Sequence, residues 1–329
     1  MPFWTVMRGI RSAVRLRRKM RGPRRPSWDE SYEAWATALH HYAKRSTILP
    51  LEMQRKAALL AMPAGHSARC DFERVRARGV RAEWFRDPDW DDSRVLFYLH
   101  GGGYSIGSID THRDVIVRLC QAAKVTGFAI DYRLAPEHPF PAQLDDSLAA
   151  YRYLLEQGID PSRIVIGGES AGGALTLSTL VALRDQREPL PAGALAISPW
   201  VDLEALGASV PVNEPYDYIS RRTLRAYARR FVSSRDLRHP LAAPLYADLE
   251  GLPPLLVHAG DAEALRDDAV RIAERARAAG VPTELEVWDD QIHAFHLFAG
   301  FFDAPRKAVE RLGRFIRDKI TARAPTVAA

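Results

Sequence analysis

The sequence predicts an α/β protein with a mainly parallel sheet flanked by helices and with a helical cap in two parts. Its 329 residues are 47% hydrophobic and 26% charged, which is typical of a globular chain with a sizeable core. From Val80 onward, short apolar runs alternate with helical patterns, as in parallel strands joined by crossover helices. Two stretches have helical periodicity without a strand signal, one before Val80 and one from Leu203 to Ala243. These two stretches predict the two parts of the cap.

Residues 1–28 form a basic arm. They hold nine of the 46 lysines and arginines and no acidic residue, so the rest of the chain, with 41 acidic residues, is slightly acidic. The net charge of +5 therefore does not indicate a nucleic-acid-binding face on the main domain. Apolar side chains of the arm recur at helical spacing beside a stripe of arginines, at Phe3, Met7, Ile10 and Val14. Two interpretations stay open: a helix lying on the protein's own apolar surface, which we favour, or a weak contact with a membrane surface that carries anionic headgroups.

Residues 29–75 are predicted to form the N-terminal part of the cap. Ser27 and Glu30 have the spacing of a capping box, which would begin a helix whose apolar stripe continues to Tyr42. A second helix is predicted from Leu51 to Ala61. Residues 76–329 are predicted to form the main domain, with the second cap segment at positions 203–243.

Strands and helices alternate through the main domain. The predicted strands are Val80–Phe85, Val95–Leu99, Gly127–Ile130, Ile164–Gly167, Ala194–Ile197, Leu255–Ala259 and Glu284–Val287. The predicted helices between and after them are Asp114–Ala123, Leu144–Glu156, Gly172–Arg184, Asp267–Ala279 and Arg306–Lys319.

A sharp turn is predicted around Ser170. The residues Gly168-Glu169-Ser170-Ala171-Gly172 follow the predicted strand that begins at Ile164 and precede a predicted helix. This is the context of a G-x-S-x-G nucleophile elbow, in which small residues flank a serine held in a strained backbone conformation. The same pattern occurs in ordinary glycine-rich turns, but its context favours a nucleophile.

A glycine loop follows another predicted strand. His100-Gly101-Gly102-Gly103 comes directly after Leu99, and successive glycines leave their backbone N–H groups unobstructed. Beside a nucleophile such groups can bind the oxyanion of a tetrahedral intermediate. The spacing of a phosphate-binding loop is absent here. We expect the imidazole of His100 to support the loop through hydrogen bonds.

These motifs together resemble the bacterial hormone-sensitive lipase family of α/β-hydrolase esterases. The resemblance is carried by His100–Gly103, by Asp131-Tyr132-Arg133-Leu134-Ala135-Pro136-Glu137 and by Gly168–Gly173, which occur in the family's order. It runs from about Val95 to the end of the last helix. One departure is Glu169, which stands where the family often has Asp. The resemblance implies an α/β-hydrolase fold and a catalytic triad in the order serine, acid, histidine.

A serine nucleophile also needs a base, because its hydroxyl reacts poorly until a proton is removed. The base is expected on the loop after the final strand, which carries two histidines. His293 matches the family's His-x-Phe pattern in Gln291-Ile292-His293-Ala294-Phe295. His296 is the alternative, and we favour His293.

The acid is expected after the strand that ends at Ala259, where four carboxylates occur within residues 260–268. Matching Leu265-Arg266-Asp267 to the family's Asp-Pro-Leu-x-Asp-Glu pattern places Glu263 at the catalytic position. Asp261 would match only with a shift of two residues. We favour Glu263, since a glutamate can also orient and stabilise the imidazolium. Asp267 and Asp268 are expected to begin the next helix.

The predicted activity is that of a serine carboxylesterase on short to medium acyl esters, without a cofactor or a metal. Ser170 would attack the ester carbonyl, His293 would transfer the proton and Glu263 would orient His293. The N–H groups of Gly101, Gly102 and Ala171 would bind the oxyanion. The same machinery could cleave an amide or a lactone or transfer the acyl group to an alcohol, and a ligand-binding receptor on a hydrolase scaffold is the alternative from another class.

Further expectations concern the pocket, the partners and the location. Tyr104 and Trp200 follow strand ends and are candidates for the pocket wall. The expected partner is a small ester, and a homodimer stays open. Cys70 and Cys120 are the two cysteines, which is too few for a disulfide framework. With no long apolar run and no signal-peptide core, a cytoplasmic location is expected.

Overall fold

A computed structural model describes residues 3–61, 70–232 and 236–321. The strands are β1 (Asp71–Ala77), β2 (Val80–Arg86), β3 (Asp91–Leu99), β4 (Val125–Asp131), β5 (Ile164–Glu169), β6 (Gly193–Ile197), β7 (Leu255–Gly260) and β8 (Thr283–Trp288). The helices are α1 (Phe3–Arg21), α2 (Glu30–Ser46), α3 (Leu51–Ala61), α4 (Ile109–Ala123), α5 (Ala142–Glu156), α6 (Ala171–Asp185), α7 (Ser209–Asn213), α8 (Arg221–Phe231), α9 (Arg266–Ala278) and α10 (Asp303–Thr321). Short 3₁₀ turns lie at Pro161–Arg163, Pro244–Tyr246 and Phe295–Phe298.

Within the described residues, eight strands form one sheet in the order β1-β2-β4-β3-β5-β6-β7-β8. The pairs β1–β2 and β2–β4 are antiparallel. All other neighbouring pairs are parallel. The sheet is therefore mainly parallel, as the alternating pattern predicts, with an antiparallel extension at one edge.

Both faces of the sheet are buried under helices. Along β3, Leu96 and Tyr98 point into the layer under α4 and α10, whereas Phe97 and Leu99 point into the layer under α5, α6 and α9. This alternation follows from the two-residue period of a strand. Because the sheet is covered on both faces, its central strands contain nearly continuous apolar runs.

Each predicted strand of the main domain is confirmed, but β1 was not predicted. This strand has the sequence DFERVRA and is mostly exposed, so it lacks the alternating apolar pattern on which the prediction relied. It forms the edge of the sheet and pairs along its full length with β2. Residues 71–75 therefore belong to the sheet, although they fall within the predicted cap segment 29–75.

The helices of the cap region lie where periodicity predicts them, and α3 matches its predicted bounds. The expected capping box at Ser27 is wrong. Asp29 caps α2 instead, since its side chain accepts a hydrogen bond of 2.7 Å from the amide of Tyr32. The amide of Ser27 donates to Oδ2 of Asp290, which ties the start of the cap to the loop after β8.

Residues 3–21 of the basic arm form α1, which lies against α2. Arg17 and Arg18 make ion pairs with the buried carboxylate of Glu33, and Arg15 pairs with Glu30. These contacts agree with a helix that rests on the protein's own surface. Among the described residues, none of the helices combines the length and the apolar character needed to cross a membrane.

The parallel strands bring four loops to one edge of the sheet. β3, β5, β7 and β8 run in the same direction, so their carboxyl ends meet there. The glycine loop, the Ser170 turn and the loops that carry Glu263 and His293 follow these four ends in turn. Ligands of open α/β sheets bind at this edge.

Candidate active site

Ser170 occupies the sharp turn between β5 and α6. Its backbone has φ 57° and ψ −120°, a strained conformation for a residue with a side chain. The turn is fixed by a hydrogen bond of 2.9 Å from the amide of Ser170 to the carbonyl of Ile197. A Cβ atom at Gly168 or Gly172 would collide with the carbonyl oxygen of Leu99, which explains why glycines flank the turn. The geometry is that of a nucleophile elbow.

The glycine loop lies beside this turn, but its first amide is engaged. The N–H of Gly101 donates to Oε1 of Glu169, so it is not free to bind an oxyanion, and the prediction for Gly101 conflicts with this contact. Gly102 and Gly103 have φ values of 111° and 58°, and their amides have no acceptor among the described residues. The amide of Ala171 is also free of a helical partner, because Ala171 is the first residue of α6.

Glu169 links the elbow to the glycine loop. Its carboxylate is buried, and besides the amide of Gly101 it accepts the hydroxyl of Tyr98 at 2.5 Å and contacts Nε2 of His112 at 2.7 Å. Burial alone would raise the pKa of Glu169, but His112 and Tyr98 lower it below its usual value. An ionised carboxylate beside Ser170 therefore fixes the loop through its first amide.

His100 lies buried under the glycine loop. Its ring stacks on that of Tyr132 at 4.2 Å, and its Nδ1 lies 2.7 Å from the carbonyl oxygen of Gly101. The hydroxyl of Tyr132 donates to the carbonyl of His100 at 2.7 Å. Burial lowers the pKa of His100 to about 3, so the ring is neutral. His100 thus contacts the loop itself, at the position where the sequence analysis expects a supporting residue.

His293 and Glu263 face each other in the interior. Nδ1 of His293 lies 3.8 Å from Oε2 of Glu263, which also accepts a hydrogen bond of 2.7 Å from Ser198. Burial lowers the pKa of His293 to about 3, which keeps the imidazole neutral and able to accept a proton. Burial, and to a smaller extent the nearby Asp217, raise the pKa of Glu263 well above its usual value. Burial therefore disfavours the charged form of each of these two side chains.

Asp261 and His296, the two alternative candidates for the triad, contact other residues. Asp261 is partly exposed and makes ion pairs with Arg25 at 2.5 Å and with Arg266 at 3.2 Å. His296 lies in the 3₁₀ turn after His293, and its Nε2 is 3.2 Å from Nδ1 of the buried His258. These contacts leave both side chains outside the pair of His293 and Glu263.

A largely apolar cavity of about 150 Å³ joins these elements. Ser170, His293 and Trp200 line it from the main domain, together with Gly102 and Gly103. Its cap-side lining comes from α2, α3 and α8 and from the loop before α8, and includes Leu39, Tyr42, Ala58, Ile219, Leu224 and Tyr227. Tyr104 does not line it. The ring of Tyr104 stacks on Phe231 at 3.7 Å, so its role as a pocket candidate is corrected to aromatic packing.

Comparison with known proteins agrees with this architecture. A family model described as alpha/beta hydrolase fold matches residues 96–297. An acetyl-hydrolase from Streptomyces hygroscopicus is 44% identical over 72% of this chain and 79% of its own length. A crystal structure of an esterase from the bacterial hormone-sensitive lipase family is 43% identical, with a TM-score of 0.82, and covers 87% of this chain and 98% of its own.

The chain belongs to the bacterial hormone-sensitive lipase family of α/β-hydrolase esterases. It is a carboxylic ester hydrolase, like its relatives that are named esterase or acetyl-hydrolase. A second relative, an esterase from Acinetobacter venetianus, is 33% identical over 73% of this chain and 80% of its own length. The crystal structure of EstE5 soaked with p-nitrophenyl butyrate has a TM-score of 0.83 at 39% identity and covers 87% of this chain and 99% of its own.

Two side chains of this esterase that touch the site were missed by the sequence analysis. Ser198 donates to Glu263, and Asp217 accepts the amide of His293. Neither lies in one of the three motifs that carry the family resemblance. Both reach the site from loops that are distant in sequence, so a local pattern could not have identified them.

Proposed function

We propose that this esterase hydrolyses short to medium acyl esters through an acyl-enzyme intermediate on Ser170. The observation that carries the proposal is the shared cavity, into which the strained turn of Ser170 and the neutral base His293 both open. A base within hydrogen-bond reach of a serine activates its hydroxyl as a nucleophile. Glu263, whose Oε2 lies 3.8 Å from Nδ1 of the imidazole, supplies the acid that a triad needs.

In the first half-reaction, Oγ of Ser170 attacks the ester carbonyl carbon and His293 accepts the proton of the hydroxyl. Glu263 stabilises the imidazolium that forms, and the carbonyl oxygen becomes an oxyanion. The free amides of Gly102, Gly103 and Ala171 are the donors that we assign to this oxyanion, in place of the amide of Gly101. Collapse of the intermediate breaks the bond to the alcohol oxygen, which leaves with the proton from His293.

In the second half-reaction, water attacks the acyl carbon of the Ser170 ester and gives its proton to His293. A second oxyanion forms on the same amides, and its collapse returns the proton to Oγ of Ser170. The acid product then leaves the cavity. Bonds and protons balance without a metal or an organic cofactor.

The size of the cavity supports a short to medium acyl group. A cavity of about 150 Å³ holds a ligand of the size of benzene. Its apolar wall of Trp200, Leu224 and Tyr227 fits a hydrocarbon chain, and the cap restricts the space available to longer substrates. No contact of the described residues favours an amide, a lactone or an alcohol acceptor over an ester and water.

A series of p-nitrophenyl esters from acetate to dodecanoate tests this proposal. We expect kcat/KM to be highest between acetate and hexanoate and to fall steeply for longer chains, with an initial burst of p-nitrophenol where deacylation is slower. p-Nitroacetanilide is the matched amide, and an added alcohol reports acyl transfer. A preference for dodecanoate, faster cleavage of the amide, or an ester product in place of the acid would contradict the proposal.

A further inference from the structure

Asp217 is a buried carboxylate in the cap segment between α7 and α8. No basic side chain of the described residues lies within 4 Å of this carboxylate, and its hydrogen bonds come from backbone amides. Oδ1 accepts the amide of His293 at 3.1 Å and that of Tyr218 at 2.8 Å. Oδ2 accepts the amide of Ala264 at 2.7 Å.

Two of these amides belong to the loops of the triad. His293 is the proposed base itself, and Ala264 directly follows the proposed acid Glu263. One carboxylate therefore holds the backbone of both loops, with a different oxygen for each. Because the two oxygens of a carboxylate are rigidly linked, they fix the separation of the two loops.

The same cap segment holds the acid loop from a second side chain. Nδ2 of Asn213 donates to the carbonyl of Asp261 at 2.9 Å and to that of Glu263 at 2.8 Å. Asn213 and Asp217 thus bind the main chain on both sides of the Glu263 side chain. The N-terminal part of the cap also contacts this segment, since Nδ1 of His40 donates to the carbonyl of Asp217 at 2.7 Å.

A carboxylate has a specific advantage at this position. It can accept all three amides, whereas the side chain of asparagine has one acceptor oxygen and would turn an NH₂ group toward an N–H donor. Burial raises the pKa of Asp217 to about 7, and the hydrogen bonds from the amides oppose this effect. A buried carboxylate without a cation costs stability, so its position beside both triad loops requires an explanation other than stability.

We propose that Asp217 is a positioning residue, whose carboxylate holds His293 and Glu263 at the geometry that proton transfer from Ser170 requires. The inference rests on the proposed function, in which these two residues act on Ser170. Misplacement of a catalytic group by about 1 Å can lower the rate about a hundredfold. The cap would then contribute to the chemical step through Asp217, in addition to enclosing the substrate.

The test compares Asp217→Asn with Asp268→Asn. Asp268 is an equally buried carboxylate, also raised in pKa by burial, and its Oδ2 accepts the amides of Val201 at 3.0 Å and Asp202 at 2.9 Å. Its hydrogen bonds do not reach the loops of Glu263 and His293. Both variants remove the charge of a buried carboxylate. Oδ1 of Asp268 has no hydrogen-bond partner among the described residues, so an asparagine there can keep both amide contacts, and the thermal stability of both variants is measured beside kcat.

We measure kcat and KM separately on p-nitrophenyl acetate, at a temperature where both variants are folded. Asp217→Asn should lower kcat about 10- to 100-fold with little change in KM, as expected for a displaced catalytic group. Asp268→Asn should leave kcat close to that of the wild type. Equal kcat values in the two variants, or a rise in KM alone, would overturn the inference.

Two further variants keep the outcome decisive. If Asp217→Asn does not fold, Asn213→Ala replaces it, because this change removes the two hydrogen bonds to the acid loop and should lower kcat selectively. A kcat equal to that of Asp268→Asn then overturns the inference. His293→Ala tests the proposed function separately: if it keeps its activity, the proposed function fails, whereas its inactivity together with a normal Asp217→Asn enzyme overturns only the role of Asp217.

Discussion

Oε2 of Glu263 lies 3.8 Å from Nδ1 of His293, while the same oxygen accepts a hydrogen bond of 2.7 Å from Ser198. The distance to His293 is longer than a hydrogen bond. Such bonds of catalytic groups are often long before substrate binds and shorten in the complex. Oε1 of Glu263 and Nδ1 of His293 both have no hydrogen-bond partner among the described residues, so each has capacity for a contact that forms during the reaction.

Replacing Glu263 by Gln should lower kcat by about three to four orders of magnitude, as the loss of a triad acid does. Glutamine keeps the shape of the side chain but cannot stabilise the imidazolium by charge. The matched control is Asp261→Asn, which changes a carboxylate two residues away that pairs with Arg25 and Arg266. Steady-state kinetics on p-nitrophenyl acetate should show most of the activity in this control, and the reverse order would transfer the role to Asp261.

The amides of the glycine loop can be tested with a pair of alanine substitutions. Gly102→Ala should lower kcat by about a hundredfold, the scale of losing one oxyanion donor, with a smaller effect on KM. The new Cβ would collide with the carbonyl oxygen of Ile106, and at φ 111° an alanine is also strained. The loop must therefore move its amides.

Gly79→Ala is the control for backbone strain. Gly79 has φ 91° and lies in the hairpin between β1 and β2, where a Cβ atom would have no neighbour within 4 Å. Both variants should lose stability by about 1–3 kcal/mol through the strained backbone. Only Gly102→Ala should lose kcat. A normal kcat in the Gly102 variant would place the oxyanion donors elsewhere.

The sequence predicts the elbow and the glycine loop well because each is a short, continuous segment. Strand, turn and helix around Ser170 lie within a few residues, and small residues are required there for local steric reasons. The contact between Gly101 and Glu169 joins residues 68 positions apart, and so the oxyanion donors could not be assigned from the loop alone. Asp217 lies 76 residues from His293, in a segment without a motif. Both depend on tertiary packing, which periodicity does not reveal.

The docking of α1 on α2 predicts a selective loss of stability. Arg18 donates to the buried carboxylate of Glu33 at 2.7 Å and to the carbonyl of Trp28 at 2.8 Å. Arg18→Ala should therefore lower the free energy of unfolding in urea by about 1.5–3 kcal/mol, the range for hydrogen bonds to charged groups. Lys19→Ala, at an exposed position of the same helix, should leave it unchanged. Equal unfolding curves for the two variants would mean that α1 does not rest on α2 in solution.

Ser170 is the nucleophile on which the proposed mechanism depends, and a covalent label tests this role most directly. A fluorophosphonate, which loses fluoride when a serine oxygen attacks phosphorus, should label the wild-type chain once, at the peptide that contains Ser170, as measured by mass spectrometry. Ser170→Ala removes one small oxygen at a surface turn of the cavity and should keep the fold, lose the label and lose ester hydrolysis. Stoichiometric labelling of the Ser170→Ala chain at another serine, or hydrolysis at the wild-type rate, would contradict the assignment of Ser170 as the nucleophile.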